Sequence, residues 1–166
     1  MRVTNEEILA QIRDRFPDAV VNVPEAKDFT IVLQPDSLMD VATYLRDEAG
    51  MDFLSSVTSV DYEDRFEVVY HLGSVGRKGG HLVLKVGLPR DDPSVSSLTP
   101  LWPGAEFQER EVYDLMGIRF VGHPDLRRIM MWEGYEGHPL RKDFVPSYPL
   151  QTSELVARPY AEAKDF

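Results

Sequence analysis

The chain has 166 residues, 43% hydrophobic and 28% charged, an ordinary composition for one globular domain with a core of its own. It contains no cysteine, which excludes disulfides, thiolate zinc sites, a cysteine nucleophile and cysteine-held iron–sulfur clusters in this chain. A net charge of −10 disfavours nucleic acid and anionic bilayers as partners, and no apolar run approaches the roughly 18 residues of a membrane span.

"TNEEILAQIRDRF" opens with Thr4 as N-cap and Glu7 three residues later, the capping-box pattern, and Ile8, Leu9, Ile12 and Phe16 form one stripe. This predicts a helix over about 4–15. "AVVNV" and "FTIVL" read as short strands of a hairpin. Pro35 ends the second, and Asp36 is the expected cap of a helix through "SLMDVATYLRDEAG". There Leu38, Val41, Ala42 and Leu45 share a face, and Gly50 suits the position just past the end. "MDFLSSVTSVD" is a strand with weaker alternation. "RFEVVYHL" and "HLVLKVGL" alternate clearly around the glycine-rich turn "GSVGRKGG" and form an antiparallel hairpin. The order α-β-β-α-β-β-β defines an α+β fold, a two-layer domain with a mixed sheet covered by helices on its apolar side.

After Leu88 the chain changes style. "PRDDPSVSSLTPLWPG" is a connecting segment with one helical turn, and "AEFQEREVYDLMG" is a third helix ended by Gly117. The remaining 49 residues are punctuated by proline and carry no long periodic run, so they form an extended irregular tail that a neighbour's surface is expected to order. The domain reading is 1–90 for the two-layer domain, 91–146 for connector, third helix and loops, and 147–166 for an extended tail.

On the third helix, Ala105, Val112, Leu115 and Met116 share the face expected to meet the core. Arg110 and Asp114 lie one turn apart on the opposite face with Phe107 beside them, and Glu109 and Glu111 flank the boundary. An exposed Arg–Asp pair at this spacing contributes only about 0.3–0.5 kcal/mol, so an aromatic, an arginine and a carboxylate together read as an interface patch. Glu109 and Glu111, two residues apart, diverge by about 200° and make a poor catalytic carboxylate pair.

The stretch Arg119–Lys142 reverses the acidic trend, with five basic residues against three acidic ones. It contains Gly-His-Pro twice. His123 and His138 with a carboxylate could formally make a metal site, but glycine and proline around each point to turn chemistry, with the imidazoles bonded to loop backbone.

"EREVYDLMGIRFVGHPDLRRI" resembles the signature of the 30 kDa (C-type) subunit family of respiratory complex I. The matching positions are Glu109-Arg110-Glu111, Asp114, His123 and the Arg127–Arg128–Ile129 stretch. "GHPLRKDF", from Gly137 to Phe144 through His138, Arg141, Lys142 and Asp143, resembles the second hallmark, and "DYEDRFEVVYHL" the usual hairpin strand. The resemblance covers about residues 30–146 and departs at Phe107, where tryptophan is commoner.

It implies a stand-alone peripheral-arm subunit of a proton-translocating NADH:quinone oxidoreductase, held on the cytoplasmic side of the cell membrane by its partners. Those partners would be the quinone-site (D-type) subunit and neighbouring iron–sulfur subunits, with the 147–166 tail wrapping a partner. No cofactor is expected on this chain; NADH, FMN, iron–sulfur clusters and quinone would belong to partner subunits. Arg110, Glu111 and Asp114 would fix the third helix to the following loop, with Arg127, Arg128, Arg141 and Lys142 meeting carboxylates of the large partner. Related subunits serve membrane-bound [NiFe] hydrogenases and ferredoxin- or F420-linked complexes. The rival from another class is a self-sufficient hydrolase or metalloenzyme built on Glu109, His123 and His138.

Overall fold

The computed structural model describes residues 4–76 and 81–146; residues 1–3, the tip of the glycine-rich turn and the 147–166 tail lie outside the described residues. Helix α1 (Asn5–Arg15) begins with the reciprocal capping box, Glu7 N–H on Thr4 Oγ1 at 3.2 Å and Thr4 N–H on Glu7 Oε2 at 2.7 Å. It buries Ile8 and Ile12 completely. Strands β1 (Val20–Asn22) and β2 (Phe29–Leu33) form the expected antiparallel pair.

Asp36 does not cap α2 (Leu38–Asp47). The chain enters that helix through a 3-10 turn, Pro35–Ser37, with Ser37 N–H on the Gln34 carbonyl, and no side-chain oxygen caps either element. Beyond α2, Gly50 takes φ 71°, a left-handed conformation that glycine adopts without a Cβ penalty.

β3 (Phe53–Asp61), β4 (Arg65–Gly73) and β5 (Leu82–Pro89) complete a five-stranded sheet in the order β1-β2-β5-β4-β3. β2 and β5 are parallel and the other neighbours antiparallel, so the sheet is mixed. Alternate residues of β4 and β5, among them Phe66, Tyr70, Leu84 and Val86, join Ile8, Val41 and Leu45 in one core with no measurable exposure. Each such aliphatic or phenylalanine side chain contributes about 1.5–3 kcal/mol through burial.

The connector forms a further strand, β6 (Ser94–Ser96), and an α-turn in which Trp102 N–H meets the Leu98 carbonyl at 2.9 Å. β6 pairs in parallel with β7 (Arg119–Val121), which follows α3 (Ala105–Met116). This two-stranded sheet had no counterpart in the sequence pattern, because three-residue strands are too short to show a period. α3 sends Ala105, Val112 and Met116 into the core and lies along the outer edge of β3, where Gln108 Oε1 accepts Val57 N–H at 2.7 Å.

Candidate functional site

The last carbonyls of any α-helix lack intrahelical donors, and the helix dipole makes that end attractive to cations. In α3 every one of the last four carbonyls is occupied. Gly117 N–H, at φ 73°, meets Tyr113 O at 2.8 Å. Asp114 O receives Arg128 Nη1 at 3.2 Å and lies 2.9 Å from His138 Nδ1; Leu115 O receives Leu140 N–H at 3.1 Å; Met116 O receives Arg141 Nε at 2.7 Å. Two of the five basic residues of the reversal, Arg128 and Arg141, are thus explained locally. These cations and donors complete the C-terminus of the preceding helix.

Asp114 is the centre of the arrangement. It is fully buried, and its Oδ2 accepts three consecutive backbone N–H groups, from Ile129 (2.9 Å), Met130 (2.7 Å) and Met131 (2.8 Å). Its Oδ1 meets Arg128 Nη1 at 2.7 Å. Burial alone would raise this carboxyl's pKa, but the three N–H groups and Arg128 outweigh burial and hold it below the usual carboxylate range. Arg128 also reaches the Gly137 carbonyl at 3.0 Å and so ties the loop after the first Gly-His-Pro turn to the second.

Arg110 does not pair with Asp114. Its Nε and Nη2 donate to the carbonyls of Arg127 and Arg128, both at 3.2 Å, so helix side chains satisfy successive carbonyls and then successive N–H groups of one loop. Glu109 faces the other way. It is fully buried and receives Ser97 Oγ at 2.6 Å and Leu98 N–H at 2.8 Å, fastening the connector to α3. Desolvation raises its pKa, against the pull of those two bonds.

The two histidines serve opposite ends of the helix. His123 Nε2 lies 3.0 Å from the Glu106 carbonyl while its Nδ1 accepts Asp125 N–H at 3.0 Å; His138 bonds the Asp114 carbonyl. Burial, with Arg141 and Arg128 close by, keeps His138 below the usual imidazole range despite its bond to that carbonyl. Its ring and the Arg141 guanidinium press on Gly117 so closely that a Cβ there would lie 2.5 Å from them. Glycine at 117 is therefore required by conformation and by space.

The second motif ties α3 to the β3–β4 hairpin. Lys142 N–H donates to Asp61 Oδ2 at 2.8 Å; Asp61 pairs with Arg90, which reaches Asp143 at 3.1 Å. The guanidiniums of Arg90 and Arg141 lie over the buried Phe66 ring, 4.6 and 4.9 Å from its centroid.

Several expectations change. The charged face of α3 is covered by residues of the same chain as far as the described part runs, so residues 118–146 take their course from α3 and β3. Glu111 fastens nothing to the loop: it is exposed and lines a groove facing β3. Arg128 and Arg141, expected to reach a partner's carboxylates, are turned inward, and Arg127 pairs with Asp125 at 2.8 Å on the surface. Phe107 is 61% exposed, with Arg110 5.8 Å from its ring centroid. Sequence reasoning missed Ser97 and Arg90. Asp61 lies inside a motif that gives it no role, and nothing in local spacing marks any of the three.

Apart from Glu111, each carboxylate and imidazole of the helix motif already serves the backbone or a cation of this chain. Such groups can position a loop. Among the described residues no group of three or more His, Asp or Glu is placed to hold a metal ion. The outer surface of the fastened loop carries Ile129, Met130 and Trp132, which are 38%, 58% and 59% exposed.

Fold and clamp together define a class, a small two-layer α+β domain that displays a loop locked to its last helix by buried charge. Residues 31–149 match the family described as respiratory-chain NADH dehydrogenase, 30 Kd subunit. The chain belongs to that family, the C-type subunit of NADH-quinone oxidoreductase, and with it to the components of a multi-subunit oxidoreductase complex. The C-type NADH-quinone oxidoreductase subunit of Roseiflexus sp. (strain RS-1) is 47% identical over 162 residues, 94% of this chain and 90% of that protein. That of Moorella thermoacetica is 44% identical over 142 residues, 84% of this chain and 94% of that protein.

Solved structures share the fold, among them the following two. The trypsin-resistant fragment (1-134) of Nqo5 superimposes with a TM-score of 0.63 at 31% identity, over 76% of this chain and all of that one. A chain of the membrane-bound sulfane sulfur reductase, an archaeal respiratory membrane complex, gives 0.72 at 28% identity over 97% of each.

Proposed function

We propose that this chain is a non-catalytic peripheral-arm subunit of a proton-translocating NADH:quinone oxidoreductase, and that its clamped loop is a docking face for the quinone-site (D-type) subunit. One observation carries this reading. Asp114 and Arg110 take up the loop's backbone groups from inside, which leaves Ile129 and Met130 facing outward on a stiff support. A rigid apolar surface loses little conformational entropy on binding and marks an interaction site. NADH, FMN, iron–sulfur clusters and quinone are assigned to partner subunits. The lack of any cysteine supports this for the clusters. No helix of the described residues is long and apolar enough to cross a membrane, which suits a peripheral subunit held by its partners on the cytoplasmic side.

Met130→Asp tests the reading. It places a charge on the exposed apolar face while keeping the backbone N–H that Met130 gives to Asp114, and should lower the amount of assembled complex at least tenfold. Turnover per assembled complex should stay unchanged. Normal assembly with lost turnover would reverse the assignment.

One observation favours a second reading. The likeness to a chain of the sulfane sulfur reductase complex over 97% of the sequence supports an equivalent subunit in a relative with a different donor or acceptor. The partner's sequence decides between them: paired Cys-x-x-Cys nickel ligands would place this chain in a hydrogenase.

A further inference from the structure

The β3 edge of the sheet, along which α3 runs, holds backbone groups that the clamp leaves unused. β3 is an outer strand, and its pairing with β4 fixes which groups face outward. Tyr62 N–H bonds the Arg65 carbonyl and closes the hairpin, whereas Val57 N–H points away from β4 to Gln108. By the two-residue alternation of an antiparallel ladder, Val57, Ser59 and Asp61 all turn N–H and C=O outward. α3 takes only the first of these N–H groups. Between Val57–Asp61 and α3 lies a groove of about 380 Å³ with Val112, Leu115, Met116 and Leu140 along it, and with Glu111 and Lys142 adding one exposed charge of each sign. Strand edges are usually blunted by proline, lysine, a bulge or a covering helix; the stretch from Val57 to Asp61 has none of the first three, and α3 beside it meets its backbone by a side-chain hydrogen bond at Val57.

We propose that this groove receives one extended segment of another subunit of the complex, added to β3 as a sixth strand. The proposal rests on the docked-subunit reading above and names a second contact for it. Three features select the occupant. The unpaired ladder groups call for an extended backbone, and the apolar floor for alternate apolar side chains. Glu111 and Lys142 call for a cation and an anion along the same segment. A second copy of this chain fits poorly, because α3 stands beside the edge and meets an approaching sheet before β3 does.

The test uses the full chain in its assembled complex. Ser59→Pro removes the outward N–H and puts a ring into the groove, and an outward-facing edge position is where a sheet tolerates proline. The isolated variant should keep its circular dichroism and cooperative unfolding, while assembled complex falls about tenfold; Ser59→Ala should assemble normally. Independently, Ser59→Cys, the chain's only thiol, carrying a photo-crosslinker, should label an extended segment of another subunit. Labelling of residues 147–166 of this chain, labelling of a second copy, or no label at all would overturn the proposal, as would normal assembly of Ser59→Pro. If Ser59→Pro unfolds the isolated chain, the crosslink decides alone. When Met130→Asp empties the complex and the Ser59 variants show nothing, the edge contact falls and the docking reading stands. When neither matters, both fall.

Discussion

The two halves of this molecule are held together by different forces. From α1 to β5, cohesion comes from apolar side chains at regular intervals, such as Leu82, Leu84, Val86 and Leu88 on one face of β5, with exposures of 0–1%. From α3 to Phe144, the helix still buries Ala105, Val112 and Met116 in that core, but the loop after it is held by charge meeting backbone: Asp114 on three N–H groups, Arg110 on two carbonyls, Arg128 and Arg141 on the helix end. Apolar burial is non-directional and tolerates volume-conserving exchange. A charge-to-backbone clamp is directional, so it fixes one loop geometry and fails when a single partner is lost. The first half supplies a platform, and the second aims a surface.

The most severe test of this contrast is a matched pair of truncations. Asp114→Ala leaves three part-buried N–H groups and the Arg128 guanidinium without their acceptor, at a cost of up to about 3–5 kcal/mol. Leu84→Ala removes a comparable amount, about 2–5 kcal/mol, from the core. The difference lies in what is lost. Limited proteolysis of the Asp114 variant should cut within residues 122–141 while the sheet amides keep their hydrogen-exchange protection; the Leu84 variant should lose protection throughout. Uniform loss in both would mean the clamp and the core are one cooperative unit.

Acid titration separates groups within the clamp itself, because the two carboxylates buried on α3 have opposite signs. Asp114 has a folded pKa below its ordinary 3.8, so its stabilisation is complete above that value and disappears as pH falls through the folded pKa. Asp61, lowered by Arg90 and the Lys142 N–H against the effect of burial, behaves likewise. Glu109 has a folded pKa above its ordinary 4.5, so its charge opposes folding at neutral pH, and protonation on the way down to 4.5 relieves that. Glu109 should therefore raise the urea midpoint as pH is lowered towards 4.5, against His138, whose depressed folded pKa costs stability below 6.5, and the midpoint should fall below about 3.8. Asp114→Asn should flatten the acid limb, and Glu109→Gln should abolish the rise. An unchanged acid limb in Asp114→Asn would show that other groups govern it.

These charges were also where the sequence was hardest to interpret. Period-two and period-3.6 patterns located α1, α2, the β4–β5 hairpin and α3, since each repeats within a short window. The pairing of Arg110 with Asp114 was suggested by the same local logic, yet both reach 14 to 18 positions along the chain to residues without periodicity. Glu109 looked like a boundary residue because a helical wheel cannot know that the connector, through Ser97 and Leu98, covers that side. The motif residues were identified by resemblance, but their mutual geometry was not. That geometry corrects the direction in which Arg128 and Arg141 point.

The mildest consequence attaches to the most legible feature. Thr4 and Glu7 form the capping box that the sequence announced, and Thr4→Ala removes its side-chain half, worth about 1 kcal/mol. The site is exposed, so water can replace the lost acceptor, and the backbone N–H of Glu7 is never stranded as those of 129–131 would be. Thermal unfolding should show a drop of a few degrees with cooperativity unchanged and the proteolysis pattern of the loop unaltered. A loss as large as that of Asp114→Ala would mean that α1 is coupled to the clamp. No described contact joins them directly; the route would have to run through the shared core, from Ile8 and Ile12 to Val112 and Met116.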